Sequence, residues 1–437
     1  MFTIESVRTR KLVNNVLGAS FYKGINILFN LLLVRYSIEF IGEEKYGVWL
    51  TLLSFFVWFS AFEVGITSSL RNQLTKYFAD QQFEKIKQLI SKGYKFLIIV
   101  YLSLIGLFTI ILFFLPVETI FTSKENNIVN FNLIFQASLV FYLLHYIFFF
   151  LHNILLAMHY TKTTYLIVAL QNGLLLVGVT LFNYFNFPPS FLLFCLLFSV
   201  VPLLVWLFSS MFSFTTFLKK IGPSVKNIFI EEPVSFKRID KSFFVMQTCT
   251  LVIFSTDNLI IANQLSGTEV SKYNIVFRYF NILIVFFNLI LIPYWASFAE
   301  AAHQKDRKWI RNNIKKLVLV WFGITLLAVV MLLVSNTVYK LWIGKDLAIS
   351  ITLSLAMCLS ILLTAWYTIF GYFLNSVSET KLQTKILIIS ALFNIPLSVV
   401  LLNYFGSTGV ILATCVALLP LAVALPLQYL TIIKKMV

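Results

Sequence analysis

An all-α polytopic membrane protein with about twelve spans is the fold class this sequence predicts, and three observations carry it. Of the 437 residues, 59% are hydrophobic and only 12% charged, whereas a soluble domain has about a quarter of its residues charged. Apolar runs of roughly twenty residues recur along the chain, each long enough to cross a bilayer as a helix. The basic residues sit between those runs, where loop charge orients a membrane protein.

Other classes fall away on the same grounds. The mean hydropathy of +0.88 leaves too few polar groups to cover a globular surface. Helices satisfy every backbone group inside lipid without partners, and the alternating ten-residue segments of a β-barrel are absent. A net charge of +16 would suit nucleic acid, but its confinement to loops argues against that partner. Cys195, Cys249, Cys358 and Cys415 all lie in apolar runs without metal-ligand spacing, so they read as buried structural thiols. Arg8, Arg10 and Lys11 ahead of an apolar segment imitate a signal peptide. That segment runs on to about Val34, contains Lys23, Asn26 and Asn30, and shows no small-residue cleavage site. It is expected to remain as the first span.

In order, the expected spans are 13–35, 46–68, 93–116, 131–157, 163–184, 190–211, 242–264, 273–295, 317–338, 349–374, 386–403 and 408–432. Twelve spans put both ends on one side. Taking Lys95 with its loop, 26 of the 34 lysines and arginines fall on that side, against Lys45, Lys124, Lys272, Lys340 and Lys345 on the other. Both termini should therefore be cytoplasmic. The longest cytoplasmic connection, 212–241, holds Lys219, Lys220, Lys226, Lys237, Arg238 and Lys241, and is read as a linker between six-helix bundles at 1–211 and 242–437. Cytoplasmic loops of similar length recur after the second span of each half, at 69–92 and 296–316, which supports repeated halves. Outward loops are too short for an external catalytic domain.

Charge inside a membrane costs at least roughly 2.5 kcal/mol per residue and usually marks a pathway or a pair. Lys23 and Arg35 lie in the first span, Glu63 in the second, Asp257 in the seventh and Arg278 in the eighth. Helical geometry adds polar neighbours: Asn26 and Asn30 lie within about 60° of Lys23 around the helix. Gln247 and Thr250 share a face with Asp257, and Asn281 and Asn288 share one with Arg278. Such stripes would line a cavity between the halves, or act as interhelical glue. Arg35 has the further option of snorkelling to the interface.

The fourth span carries Ser138, His145, His152 and His159 at heptad spacing, which keeps them on one side of a helix. A proton relay and ordinary interfacial histidines are the alternatives; no acid or thiol accompanies them at zinc-ligand spacing. Pro202, Pro293, Pro396, Pro420 and Pro426 fall in apolar segments, where each can kink a helix. No phosphate-cradling glycine loop and no H-E-x-x-H are present. A transporter driven by an ion, potential or substrate gradient fits better than an enzyme.

Three segments carry a resemblance. Residues 40–49, FIGEEKYGVW, resemble the G-x-x-x-Y-G-x-W opening of the second span in O-antigen and polysaccharide flippases of the Wzx type. Residues 62–76, FEVGITSSLRNQLTK, resemble their acid-x-G-I motif followed by N-x-L, with Glu63 where aspartate is common. Residues 255–280, STDNLIIANQLSGTEVSKYNIVFRYF, resemble their seventh-to-eighth span segment. The resemblance implies the fold of the multidrug and toxic-compound extruders, two six-helix bundles in a V around a cavity. It implies as substrate an undecaprenyl-pyrophosphate-linked oligosaccharide, moved from the cytoplasmic to the periplasmic leaflet of a bacterial inner membrane. A polysaccharide polymerase and chain-length machinery would be partners.

Within that frame Lys23, Arg35 and Arg278 are expected to grip pyrophosphate, with Asn26, Asn30 and Asn281 on phosphate or sugar. Glu63 and Asp257 would balance those cations or bind a coupling proton or sodium; no other cofactor is expected. A cation-coupled multidrug exporter of similar fold is the alternative, opposed by the three bases. A glycolipid polymerase would need larger outward loops.

Overall fold

The computed structural model describes residues 2–60, 70, 73–78, 80–114, 128–224 and 241–435, and among them every long element is a helix. In chain order these are α1 (Phe2–Trp58), α2 (Phe83–Phe114), α3 (Phe131–Ala157), α4 (Thr161–Tyr184) and α5 (Phe191–Thr215). They continue with α6 (Lys241–Gln264), α7 (Gly267–Leu291), α8 (Tyr294–His303), α9 (Arg307–Ile343), α10 (Ile351–Ser376), α11 (Lys381–Phe405) and α12 (Ser407–Lys435). Eleven helices among the described residues are long and apolar enough to cross a membrane. The first, Gly18–Trp58, is 41 residues long and holds the first predicted span with the start of the second. Gly42 divides it, with φ 82° and ψ 165°, a conformation that glycine alone adopts without strain. The loop expected at 36–45 is thus a single-residue break.

Two further expectations are corrected. The stretches ahead of the third and ninth spans were expected as loops, but α2 starts at Phe83 and α9 at Arg307, each about ten residues before the predicted span. Lysine, arginine and glutamate are good helix formers, so these helices run past the apolar core. Asp306 caps α9 by accepting from the Trp309 N–H at 2.9 Å. The eighth span runs over Gly267–Leu291 rather than to 295. Pro293 caps the short α8 instead of kinking a span, since its ring removes the N–H that would continue α7. Pro202, Pro396, Pro420 and Pro426 do lie inside helices.

The described residues form two compact units, 2–45 with 56–224, and 46–55 with 241–435. Ten residues of the second predicted span, Tyr46–Phe55, therefore belong with the C-terminal helices. In the N-terminal unit α3 packs against α2, α4 and α5, around fully buried Trp206, Phe150, Phe194 and Tyr101. In the C-terminal unit α12 packs against α10 and α11, and α6 against α11, with Phe287, Phe298 and Phe373 in the core. All four cysteines are buried and unpaired. Outward-facing apolar side chains such as Leu333 (80% exposed) and Leu392 (70%) form a lipid-facing surface, in place of the polar one a soluble fold would need.

Gly47 shows how closely residues 46–55 are held. A Cβ there would lie 1.7 Å from the carbonyl oxygen of Gly267, so backbone meets backbone and no side chain can yield. Gly47→Ala is expected to destabilise the protein by about 1–3 kcal/mol through overpacking, read as a lowered thermal midpoint in detergent. An unchanged midpoint would show that this approach is not made in solution.

Candidate functional site

In the N-terminal unit the polar stripe of the first span faces α4. The Lys23 ammonium stands 4.4 Å from the centre of the Tyr165 ring, a distance at which the ring's negative face attracts a cation. Asn172 donates to the Asn26 side-chain oxygen. Asn30 donates to the Asn26 carbonyl at 2.8 Å and to its side-chain oxygen at 3.2 Å. One turn of α1 is thereby fastened to α4 by amides, and Asn183 extends the seam by donating to the Tyr36 carbonyl at 3.0 Å. The structure brings Lys23, Asn26 and Asn30 together and adds Tyr165 and Asn172, which single-helix periodicity does not reveal. The polar pair Gln171–Asn172 inside an apolar span was the available signal. Arg35 is exposed and lies twelve residues along the helix from Lys23, about 18 Å at helical rise, so it does not join this group. Glu63 lies outside the described residues.

In the C-terminal unit Asp257 on α6 is fully buried. Its Oδ2 accepts the Tyr273 hydroxyl of α7 at 2.6 Å and the Thr414 hydroxyl of α12 at 3.5 Å. Asn394 of α11 donates to Thr414 Oγ1 at 3.3 Å. Two oxygens of this cluster, Oδ1 of Asp257 and Oδ1 of Asn394, have no hydrogen-bond partner among the described residues, and neither has Oγ of Ser398 one turn further along α11. Buried polar atoms are nearly always satisfied, so a group of orphaned acceptors describes a place for a cation or an added proton.

Arg278 is not the partner of Asp257: no ion pair joins the two. Its half-buried side chain lies instead within electrostatic reach of the buried Tyr46 hydroxyl. Asn281 is half-buried one turn beyond it. Neighbouring Asn258 forms a separate link, donating to Ser54 Oγ at 2.7 Å and accepting from Asn274 at 2.8 Å. Asn274 stands one turn before Arg278 and Asn258 lies within about 20° of Gln247 around its helix, so periodicity could have marked both, although not their partners on other helices.

The histidine stripe is not one uniform face: His145 is buried among aromatics, His152 is half-buried, and His159 lies exposed beyond the end of α3. His145 lies between Tyr142, Tyr146 and Phe149, and both its ring nitrogens lack a hydrogen-bond partner. Phe149 separates it from His152, stacking on the latter at 4.8 Å. An intervening phenyl ring cannot pass a proton, which favours packing over a relay. His145→Phe is accordingly expected to keep transport within about twofold of wild type and to leave or raise stability, since it removes two unsatisfied buried nitrogens. Loss of transport with normal membrane levels would restore the relay.

Comparison with known proteins fits this architecture. Residues 243–400 match the MatE family model. A Salmonella typhi protein described as "Putative O-antigen transporter" is 23% identical over 397 residues, covering 87% of each chain. Among solved structures, a multidrug resistance MATE family transporter superposes with a TM-score of 0.72 at 14% identity, over 94% of this chain and 95% of that one. Lipid II flippase MurJ gives a TM-score of 0.67 at 14% identity, over 97% and 90%. The chain shares its fold with these proteins and aligns with the Salmonella typhi one over most of its length; it is a multi-pass membrane protein of the MATE fold, similar in sequence to a protein described as a transporter rather than to an enzyme.

Proposed function

We propose that the protein flips an undecaprenyl-pyrophosphate-linked oligosaccharide, an O-antigen or related repeat unit, from the cytoplasmic to the periplasmic leaflet of a bacterial inner membrane. The observation that carries this reading is that, among the described residues, no acid forms an ion pair with Lys23 or Arg278. Lys23 rests on an aromatic ring, and Arg278 makes no ion pair with any described acid. A cation held in a membrane without a counter-ion is expensive and serves an anion that arrives from outside. Pyrophosphate is such an anion, and guanidinium and ammonium groups bind it through charge-assisted hydrogen bonds. Asn26, Asn30 and Asn281 supply amides suited to sugar hydroxyls, and Arg35 a further cation near the outer surface. A multidrug exporter would face cationic cargo, which these bases repel.

Asp257 supplies the coupling in this reading. A buried carboxylate with an oxygen unpartnered among the described residues, linked through Thr414 to Asn394 with its own unpartnered oxygen, suits a sodium ion, whose ligands are oxygens, or a proton. Either would neutralise the group, and binding in one state but not the other is what drives alternation. Glu63 is placed in the same role. The flipped product would pass to a polymerase and its chain-length partners. The deciding experiment deletes the gene and labels lipid-linked saccharide on sealed spheroplasts with an impermeant glycan reagent. Loss of labelling with glycolipid accumulating inside supports the reading. Normal labelling, with no second flippase present, would sink it and direct attention to drug efflux.

A further inference from the structure

We propose that the N-terminal unit carries a binding site for the phosphate headgroup of an anionic phospholipid, in a cleft formed by the start of α2, the α3–α4 turn and the end of α5. The cleft has a volume of about 500 Å³. Its floor is apolar, from Met158, Leu218 and Ile221, all buried. Its rim holds Phe83, Phe217 and Tyr160, which are 40%, 44% and 37% exposed, and the exposed Lys219 and Lys220.

The local fold makes this arrangement. α5 ends at Thr215, and the chain then tightens into a 3₁₀ turn over Lys219–Ile221. Three residues per turn bring Leu218 and Ile221 onto one side; they become the floor, and the two lysines swing outward. Lys220 stands 6.0 Å from the centre of the Phe83 ring. Beyond the turn, the Ser224 N–H donates to Ser91 Oγ at 3.0 Å, which ties the segment back to α2.

The occupant follows from what surrounds the cleft. Phe208 and Phe212 on α5 and Thr216 just past its end succeed one another at four-residue spacing. Phe208 and Phe212 are 60% and 65% exposed, and Thr216 lines the cleft. An apolar track thus leads from the lipid-facing surface to the lysines, the path an acyl chain takes when its headgroup sits at the interface. Aromatic rims and lysines are what a protein places at that depth, and basic groups there attract anionic lipid. Among the described residues no acidic and no amide side chain lines the cleft. A bare phosphodiester therefore suits it better than a glycan-bearing pyrophosphate, which sets this site apart from the transport pathway proposed above.

The test uses the full chain, purified in detergent from cells lacking lipid-linked oligosaccharide, so its outcome does not depend on the flippase reading. Retention of added phosphatidylglycerol and of phosphatidylcholine is measured by native mass spectrometry. Wild type should retain phosphatidylglycerol preferentially, and Lys219→Gln/Lys220→Gln should lower that retention about five- to thirty-fold, the loss expected for two interfacial lysines. Lys305→Gln/Lys308→Gln, an equal loss of charge in the C-terminal unit, should retain it as wild type does. Equal retention of both lipids by wild type would overturn the proposal. So would a double variant that keeps its phosphatidylglycerol, or displacement of the lipid by millimolar inorganic phosphate alone, which would mark a site for free phosphate. Persistence of bound lipid in phosphate, lost in the Lys219 and Lys220 variant, would support it.

Discussion

Replacing Lys23 and Arg278 together by glutamine is expected to reduce glycolipid flipping at least about a hundredfold, taking roughly 1.5–3 kcal/mol for each lost hydrogen bond between a charged donor and phosphate. The protein should still accumulate in the membrane, because neither cation forms an ion pair with a described acid. Among the described residues Lys23 has the Tyr165 ring as its charge contact, and a neutral side chain at mid-membrane is cheaper to insert than an ammonium. The measurement is impermeant labelling of surface-exposed glycolipid in a complemented deletion strain, with membrane abundance from an epitope tag. Wild-type labelling at normal abundance would remove both residues from the substrate site. Lys23→Arg alone should retain most activity, since charge survives while the fit over Tyr165 changes.

The second large effect is expected at Asp257. Asp257→Asn should abolish the response of transport to an imposed ion gradient, lowering gradient-driven flux at least about tenfold, the equivalent of about 1.4 kcal/mol of lost driving interaction. The fold should not suffer. An asparagine keeps an oxygen to accept from Tyr273, which now does so at 2.6 Å, and it removes a fully buried carboxyl that has one unsatisfied oxygen. Burying an ionisable group without full compensation is costly, so the thermal midpoint should match or exceed that of wild type. Proteoliposomes with separate proton and sodium gradients give the readout. Wild type should respond to one of them, which identifies the ion, and the variant to neither. A variant that responds as wild type does would remove Asp257 from coupling.

Legibility from sequence followed the range of the forces involved. Apolar runs report burial in lipid directly, so ten spans map onto separate helices and two share α1. Where helix and hydrocarbon core part company the sequence misled. The lysine- and glutamate-bearing start of α2 and the arginine- and lysine-bearing start of α9 are helical by backbone propensity, although their polarity reads as loop. At 40–49 two glutamates and a lysine suggested a connection, while the chain needed only Gly42 to break one helix and begin the next. The site divides the same way. Periodicity along one helix gathered Lys23, Asn26 and Asn30, and burial cost marked Asp257 and Arg278 as unusual. Periodicity could not supply Tyr165, Asn172, Tyr273, Asn394 or Thr414, because each meets its partner across a different helix. Nor could it reveal that Asp257 turns to a tyrosine and a threonine rather than to Arg278.

The place of Tyr46–Phe55 bears on how such a protein can evolve. The portion of sequence that behaves as one inherited block is not a contiguous half of the gene, since ten residues encoded near the start belong with a core encoded after residue 240. A recombination event in the 225–240 connection would part Gly47 from the Gly267 backbone against which it is fitted, and Ser54 from Asn258. Chimeras of related transporters joined at that connection should inherit a mismatch at those positions, unless the short segment travels with its distant partner. Substitutions at residues 47, 54, 258 and 267 are thus bound to a shared history, although more than two hundred positions separate them along the chain.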